Sequence, residues 1–410
     1  MVASRRPTVF LHIGEPKSGT TFVQQVMWSN RDALARQGVL LPGVHPQDHF
    51  RANQDLREVP QPIDDPTGSY AGEWNLLAKQ ALQADRAAVI SHELLAAATA
   101  EQAARAIASL DGADVHIVLS LRDFVSLLPA EWQETVKHRN RQTWEQWLRR
   151  VRRADVKNRP RLARWFWRVH DTPDVLLRWA QGIPADHVHI VTLPPPESPP
   201  NLLWERFASV IGVDPAGADL RSARPNASLG LAEAEMLRRL NTALGREGVG
   251  SYFYGVQIKE RLAHEYLAHR PAARQPQLPP DIWRWAARRC TDVIEALRAA
   301  GYDIVGSLDD LRPRPGYEAA PEDPVNEPPL DEVLDAAIGA LATTLRNQYE
   351  QPLAGADERH LVDLPAAKMT ANPRVKRLVR ELSSRYPAVG RARIFLWRLT
   401  ERARSRRPDL

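Results

Sequence analysis

Five short apolar runs separated by longer amphipathic stretches limit what this chain can fold into more tightly than any other feature. The runs are Val9-Phe10-Leu11-His12-Ile13, Val39-Leu40-Leu41, Ala88-Val89-Ile90, Val115-His116-Ile117-Val118-Leu119 and Val188-His189-Ile190-Val191. They are largely apolar rather than alternating, which is the pattern of strands covered on both faces. Between them lie stretches with helical spacing, such as the one carrying Phe22, Val23, Val26 and Met27, or the alanine-rich Glu101 to Leu110. Strands alternating with helices predict an α/β fold, a parallel sheet sandwiched by helices. Beyond Pro194-Pro195-Pro196 the strand pattern fades, and residues 231–301 read as helices with Trp283, Trp285, Val293, Ile294 and Leu297 available for packing. The expected organisation is a core over 1–225, completed by a helical cap over 226–310.

Six prolines and several acidic residues in 311–330 cannot repay their ordering entropy and read as a linker. Past it, Val333, Leu334, Ala337, Ile338, Leu341 and Leu345 have helical spacing, which predicts a helical extension over 331–410. Its tail is basic: residues 374–410 hold twelve lysines and arginines against Glu381, Glu401 and Asp409, a net +9 that leaves −4 on residues 1–373. The overall charge of +5 therefore does not describe the body, and no nucleic-acid partner is expected for it. Val375, Leu378, Val379, Leu382, Ile394, Phe395, Trp397 and Leu399 would give the tail two amphipathic helices. These could dock on the acidic body or lie peripherally on the anionic inner face of a membrane. A single cysteine, Cys290, excludes an intramolecular disulfide and a thiolate metal cluster. With no apolar signal core near the start and no bilayer-length apolar stretch, the expected compartment is the cytoplasm.

The first strand runs into Gly14-Glu15-Pro16-Lys17-Ser18-Gly19-Thr20-Thr21, and a helix begins near Phe22. A glycine-bounded turn there lets backbone N–H groups converge on an anion, and the helix adds the positive end of its dipole. The two glycines have Walker spacing, but Thr20 stands where a Walker lysine would be and the lysine is Lys17, inside the turn. The fourth run leads into Leu121-Arg122-Asp123, an arginine where a magnesium-binding carboxylate would be expected. An arginine at that edge suits a second anion, or else a salt bridge with Asp123. Together these residues indicate a P-loop-like pocket for a nucleotide with phosphates at two ends.

Pro16-Lys17-Ser18-Gly19-Thr20-Thr21 resembles the 5′-phosphosulfate loop of sulfotransferases that use 3′-phosphoadenosine-5′-phosphosulfate (PAPS), and Leu121-Arg122-Asp123 resembles their 3′-phosphate segment. The stretch from Val9 to about Gly301 is similar to a bacterial sulfotransferase-like family of actinobacterial type. The resemblance implies a transferase that moves a sulfuryl group from PAPS to a hydroxyl or amine acceptor and releases 3′,5′-ADP without a metal; it does not define the acceptor, for which a carbohydrate or glycolipid is the preferred expectation, since aromatics and arginines suit sugars. It further implies that Lys17 bonds the 5′-phosphate and bridging oxygen, that Ser18, Gly19, Thr20 and Thr21 hold phosphate oxygens, and that Arg122 grips the 3′-phosphate. The family supplies a serine eight residues after that arginine. This chain has Ala130 there, and Ser126 one turn earlier is the nearest hydroxyl.

Sulfuryl transfer needs a base to deprotonate the acceptor. His92 and Glu93 follow the third strand at the rim where ligands bind parallel sheets, so either could serve, unless they only cap the helix near Leu94. The position of His92 resembles that of the family's catalytic histidine. His12 and His116 sit inside apolar runs and read as packed histidines, and the twelve histidines show no ligand spacing, so no metal site is expected. Trp132 to Arg139, with Trp144, Trp147, Trp165 and Trp167, offers either an acceptor wall or core packing. Thr192 and Asn226-Ala227-Ser228 are candidates to approach the adenosine. Two other function classes remain open: a non-catalytic nucleotide- or polyanion-binding module, and a magnesium-dependent P-loop kinase.

Overall fold

The apolar runs form one sheet, seen in a computed structural model that describes residues 6–153, 161–221, 228–245, 248–270, 274–313 and 326–350. Its strands are β1 Thr8–His12, β2 Val39–Leu40, β3 Ala87–Ser91, β4 Asp114–Leu121, β5 Val188–Thr192 and β6 Asp303–Val305. They lie in the order β2-β3-β1-β4-β5-β6 and every pairing is parallel. The α/β architecture read from the sequence is therefore the observed one. β6 was not foreseen: three residues, only partly buried, carry no periodic signal. It returns the chain to the sheet from the segment read as a helical cap.

Side-chain alternation divides the core by face. Val9, Leu11, Ile90, Ile117, Leu119 and Ile190 pack on one side, and Phe10, Val89, Val118 and Val191 on the other. Full burial of such side chains contributes about 1.5–3 kcal/mol each. A third cluster is built from helices alone. Trp144, Trp147, Leu148 and Val151 form the buried stripe of the helix Trp144–Arg152 and meet Phe124 and Trp132 of the helix Phe124–Lys137. Val333, Ala336 and Ala340 of the helix Leu330–Glu350 belong to the same cluster. Trp132, Trp144, Trp147 and Trp167 are thus core, whereas Trp165 stays at the surface over Arg57.

The chain divides into two units, Met1–Thr344 and Leu345–Leu410. Most of the linker, residues 351–410 with the basic tail, and Asn226 and Ala227 lie outside the described residues. Among the described residues, no helix is long and apolar enough to cross a membrane.

Topology fixes where a site can form. The chain builds β2 and β3 on one side of β1, then crosses to β4 on the other, so the connections part at β1. The crevice beyond the carboxyl ends of strands at such a switch point is where open α/β sheets bind ligands. Gly14 to Gly19, His92-Glu93 and Arg122 all follow strands that end there.

Candidate active site at the carboxyl edge

Beneath the glycine turn the three central strands are joined by one side chain. His12, fully buried, lies 2.8 Å from the Ser91 hydroxyl through Nδ1 and 3.0 Å from the Ser120 hydroxyl through Nε2. Burial is the main reason its pKa falls to about 4, with Glu93 opposing, so it stays neutral. This is the packed histidine expected from the sequence.

The turn is shaped by its glycines. At Gly14, φ is +127°, and a Cβ would stand 2.8 Å from the Glu93 carbonyl oxygen. At Gly19, φ is +84°, and a Cβ would strike Leu203 at 2.5 Å. Lys17 lies between them, also left-handed at φ +64°. The helix Thr20–Ser29 starts directly after Gly19, with no side chain capping its first N–H groups. Uncapped N–H groups behind a turn of this shape are donors available to an anion.

Underneath, the turn rests on buried charge. Glu15 is 3% exposed, accepts a 2.5 Å hydrogen bond from Thr172, and lies 3.2 Å from His170 Nδ1. His170 Nε2 is 3.4 Å from Glu131. Burial, the largest single influence, would depress the histidine pKa, but the two glutamates more than offset it and push it up to about 9. The imidazolium therefore ties the turn to the helix Phe124–Lys137, which carries Glu131.

That helix also brings the main polar contact. Lys17 Nζ donates to Glu134 Oε2 at 2.5 Å, with both side chains mostly buried. Lys137 and Lys259 approach the same carboxylate at 3.4 and 3.6 Å, and His138 Nε2 lies 3.2 Å from its other oxygen. Burial would raise the Glu134 pKa, but Lys17, His138, Lys137 and Lys259 together hold it well below the usual range. Burial pushes the Lys137 ammonium down to about 8 against the pull of Glu134. His264 is likewise lowered to about 4 by burial and then by Lys137. Three lysines facing one carboxylate leave an excess of positive charge beside the turn.

Arg122 joins the two strand ends: Nη1 donates to the Lys17 carbonyl oxygen at 3.0 Å, and Nε and Nη2 donate to the Ser126 hydroxyl at 3.1 and 2.9 Å. Ser126 also bonds Asp123, whose carboxylate caps the helix by accepting from Ser126 N at 2.8 Å. Ala130 is half-buried on the same helix. Pro16, Ser18 and Thr20 are buried, while Thr21 is half-buried.

His92 and Glu93 sit beside the turn, held by bonds from His92 N to the His12 carbonyl and from Ala96 N to the Ile13 carbonyl. His92 Nδ1 accepts from Leu94 N at 3.2 Å, so it does cap the short helix Glu93–Ala97. Burial lowers its pKa, with Glu93 opposing. Glu93 accepts from Gln24 at 3.1 Å. No direct hydrogen bond or ion pair joins this pair to Lys17; the Lys259 charge acts on His92 and Glu93 as well as on Glu134. Lys259 projects from the π-helix Tyr254–Tyr266, a rare geometry often found at functional sites. Thr192 is fully buried and donates to Asp310 at 2.8 Å, which commits it to the β5–β6 junction.

Sequence reading named Glu134 and Lys137 only as part of an acceptor wall and did not single out Lys259. Lys137 lies one turn after Glu134, but the approach of Lys17 and Lys259 is tertiary, and no spacing announces it.

No protein-family model matches the chain, and no curated protein matches it. Among solved structures it is similar to a sulfotransferase from Alicyclobacillus acidocaldarius, at 16% identity and a TM-score of 0.36, over 52% of this chain and 85% of that one. A likeness of that extent carries no assignment of activity.

Proposed function

We propose that the chain is a PAPS-dependent sulfotransferase acting on a hydroxyl or amine acceptor, a carbohydrate or glycolipid by preference. The observation that carries this reading is that Arg122, at the end of the adjacent strand, is held against the glycine turn that carries Lys17 by a 3.0 Å bond from Nη1 to the Lys17 backbone carbonyl oxygen. The two cations would serve the two phosphate ends of one nucleotide. Lys17 would turn from Glu134 to the 5′-phosphosulfate and neutralise charge developing on the bridging oxygen, with Ser18, Thr20, Thr21 and the N–H groups behind Gly19 around it. Arg122 and Ser126 would hold the 3′-phosphate.

Lys17 has Glu134 as its direct partner, and that contact favours Glu134 as the base, with His92 the alternative and Glu93 its companion. Lysines hold the Glu134 carboxylate well below its usual pKa, so it is a weak base at rest. Withdrawal of Lys17 to an incoming anion would raise its basicity when an acceptor needs it. Glu134 then takes the acceptor proton, the acceptor oxygen or nitrogen forms its bond to sulfur, and the sulfur–oxygen bond to phosphate breaks with its electron pair leaving on 3′,5′-ADP.

Calorimetric titration with 3′,5′-ADP and 5′-AMP tests the two-anion pocket. The intact chain should prefer 3′,5′-ADP, and Arg122→Ala should erase that preference, about tenfold to a hundredfold for a charge-assisted contact. Equal losses for both ligands, or no binding of either, would refute the assignment. Ala130, where the resembling family has serine, favours one second reading, a module that binds nucleotide without turnover; PAPS consumption with an acceptor panel separates the two.

A further inference from the structure

The opposite, amino edge of the same sheet carries a second group of chemistry-bearing side chains. Asp114 and His116 are two residues apart on β4 and so share a face, as do His187, just before β5, and His189 on it. The parallel register pairs Ile117 with Val188, which brings His116 beside His187, their ring centroids 4.1 Å apart and planes 9° from parallel. β6 sets Asp303 against His189, and β1 sets Phe10 against His116 as an inner wall. His116 is therefore not the packed core histidine that its apolar run implied: its side chain is 15% exposed, because β4 is only half-buried over its first three residues.

Proton bookkeeping along the cluster exposes a conflict. The Asp303 carboxylate only accepts, so His189 Nδ1, 2.7 Å away, carries a proton. With both rings neutral, His189 Nε2 is the acceptor and His116 Nδ1 the donor of the 2.8 Å contact between them. That leaves the lone pair of His116 Nε2 facing Asp114 Oδ2 at 3.4 Å, acceptor against acceptor. His187 Nδ1 lies 3.2 Å from the other oxygen of Asp114. Either one further proton on the histidine pair, which reverses their bond and lets His116 Nε2 donate to Asp114, or a cation between these groups resolves the conflict.

We propose that Asp114, His116 and His187 form a binding site for a divalent transition-metal cation of the zinc class. Their ligand atoms lie within 4.8 Å of one another, and one of the two stacked imidazoles would turn out of the stack for both lone pairs to meet one ion. Two imidazoles and a carboxylate favour zinc, copper or nickel over magnesium or calcium, and three protein ligands leave a position for water. Entry is open: Asp114 is 47% and His187 26% exposed, beside a hollow of about 510 Å³ lined by Leu110, Val115, Ile183 and Pro184. His189 and Asp303 are positioning residues that fix the His116 tautomer, an arrangement common behind metal-ligating histidines. Sequence spacing could not show the site, because the sheet register brings together His116 and His187, 71 residues apart.

The test is titration of the chelator-stripped full chain with Zn²⁺ by calorimetry and with Co²⁺ by visible absorption. One saturable ion is expected in the intact protein, lost in His187→Ala and in the double variant His116→Ala/His187→Ala. Asp303→Asn should weaken it about tenfold to a hundredfold, with the circular dichroism of all variants unchanged. No saturable binding in the intact protein would mean that a proton holds the cluster and would overturn the proposal. Undiminished binding in the double variant would overturn it equally.

Discussion

The two edges of one parallel sheet are furnished in opposite senses. At the carboxyl edge three lysines surround a single carboxylate, Glu134, behind a turn of backbone N–H groups. At the amino edge histidines surround Asp114, and a second carboxylate, Asp303, orders their protons. The first arrangement has cationic capacity to give to an anion; the second has lone pairs to give to a cation. Strand direction accounts for part of this, since turns entering helices present N–H groups at the carboxyl edge only. The remainder comes from which side chains the register aligns.

The sharpest way to break the comparison is to remove the cation at its centre. Lys17→Ala should lower sulfuryl-transfer turnover about a hundredfold to a thousandfold, the loss typical of one donor aimed at developing charge. Glu134→Gln removes a competitor for Lys17, so 3′,5′-ADP should bind no worse and turnover should still collapse. His92→Ala should cost less. If His92→Ala abolishes turnover while Glu134→Gln keeps it, His92 is the base. Unchanged nucleotide affinity in Lys17→Ala would remove the cradle itself.

Legibility in the sequence divides along the same line. The five runs gave the strands, and the glycine turn, Lys17 and Arg122 stood out because local spacing and position carry their chemistry. What stayed hidden depends on register or tertiary approach. β6 is too short to signal, Lys17 meets Glu134 across 117 residues, and Lys259 arrives on a π-helix whose period no apolar pattern marks. His116 was misread because an apolar run does not reveal where a strand emerges from the core.

The edges also differ in their support. Among the described residues, only the carboxyl edge rests on a fully buried imidazolium, His170 between Glu15 and Glu131. Its folded pKa is raised from 6.5 to about 9, so its contribution to stability is complete below pH 6.5 and is lost as pH rises through about 9. Chemical denaturation from pH 6.5 to 9.5 should show a decline of about 3 kcal/mol. His170→Gln should start lower and flatten that decline. A variant that keeps the wild-type slope would show that the support does not titrate as a unit.

The smallest expected effect concerns Lys137, the lysine of the cluster most deeply buried, whose pKa burial lowers to about 8. Below that value it is an ammonium and adds to the attraction for an anion; above it the amine is neutral and the attraction fades. Affinity for 3′,5′-ADP should therefore hold to pH 8 and then fall, by about tenfold over the next units before the bound-state pKa is reached. The nucleotide phosphates are fully ionised throughout that range, with a second pKa of about 6, so the slope belongs to the protein. Lys137→Met should bind more weakly at pH 7 and show no slope near 8, whereas Lys137→Arg should keep its affinity to higher pH because a guanidinium does not titrate there. The amino edge supplies the control: His187→Ala lies outside the lysine cluster and should leave the profile where it was. A slope that survives in Lys137→Met would assign the titration to another group and separate Lys137 from the anion site.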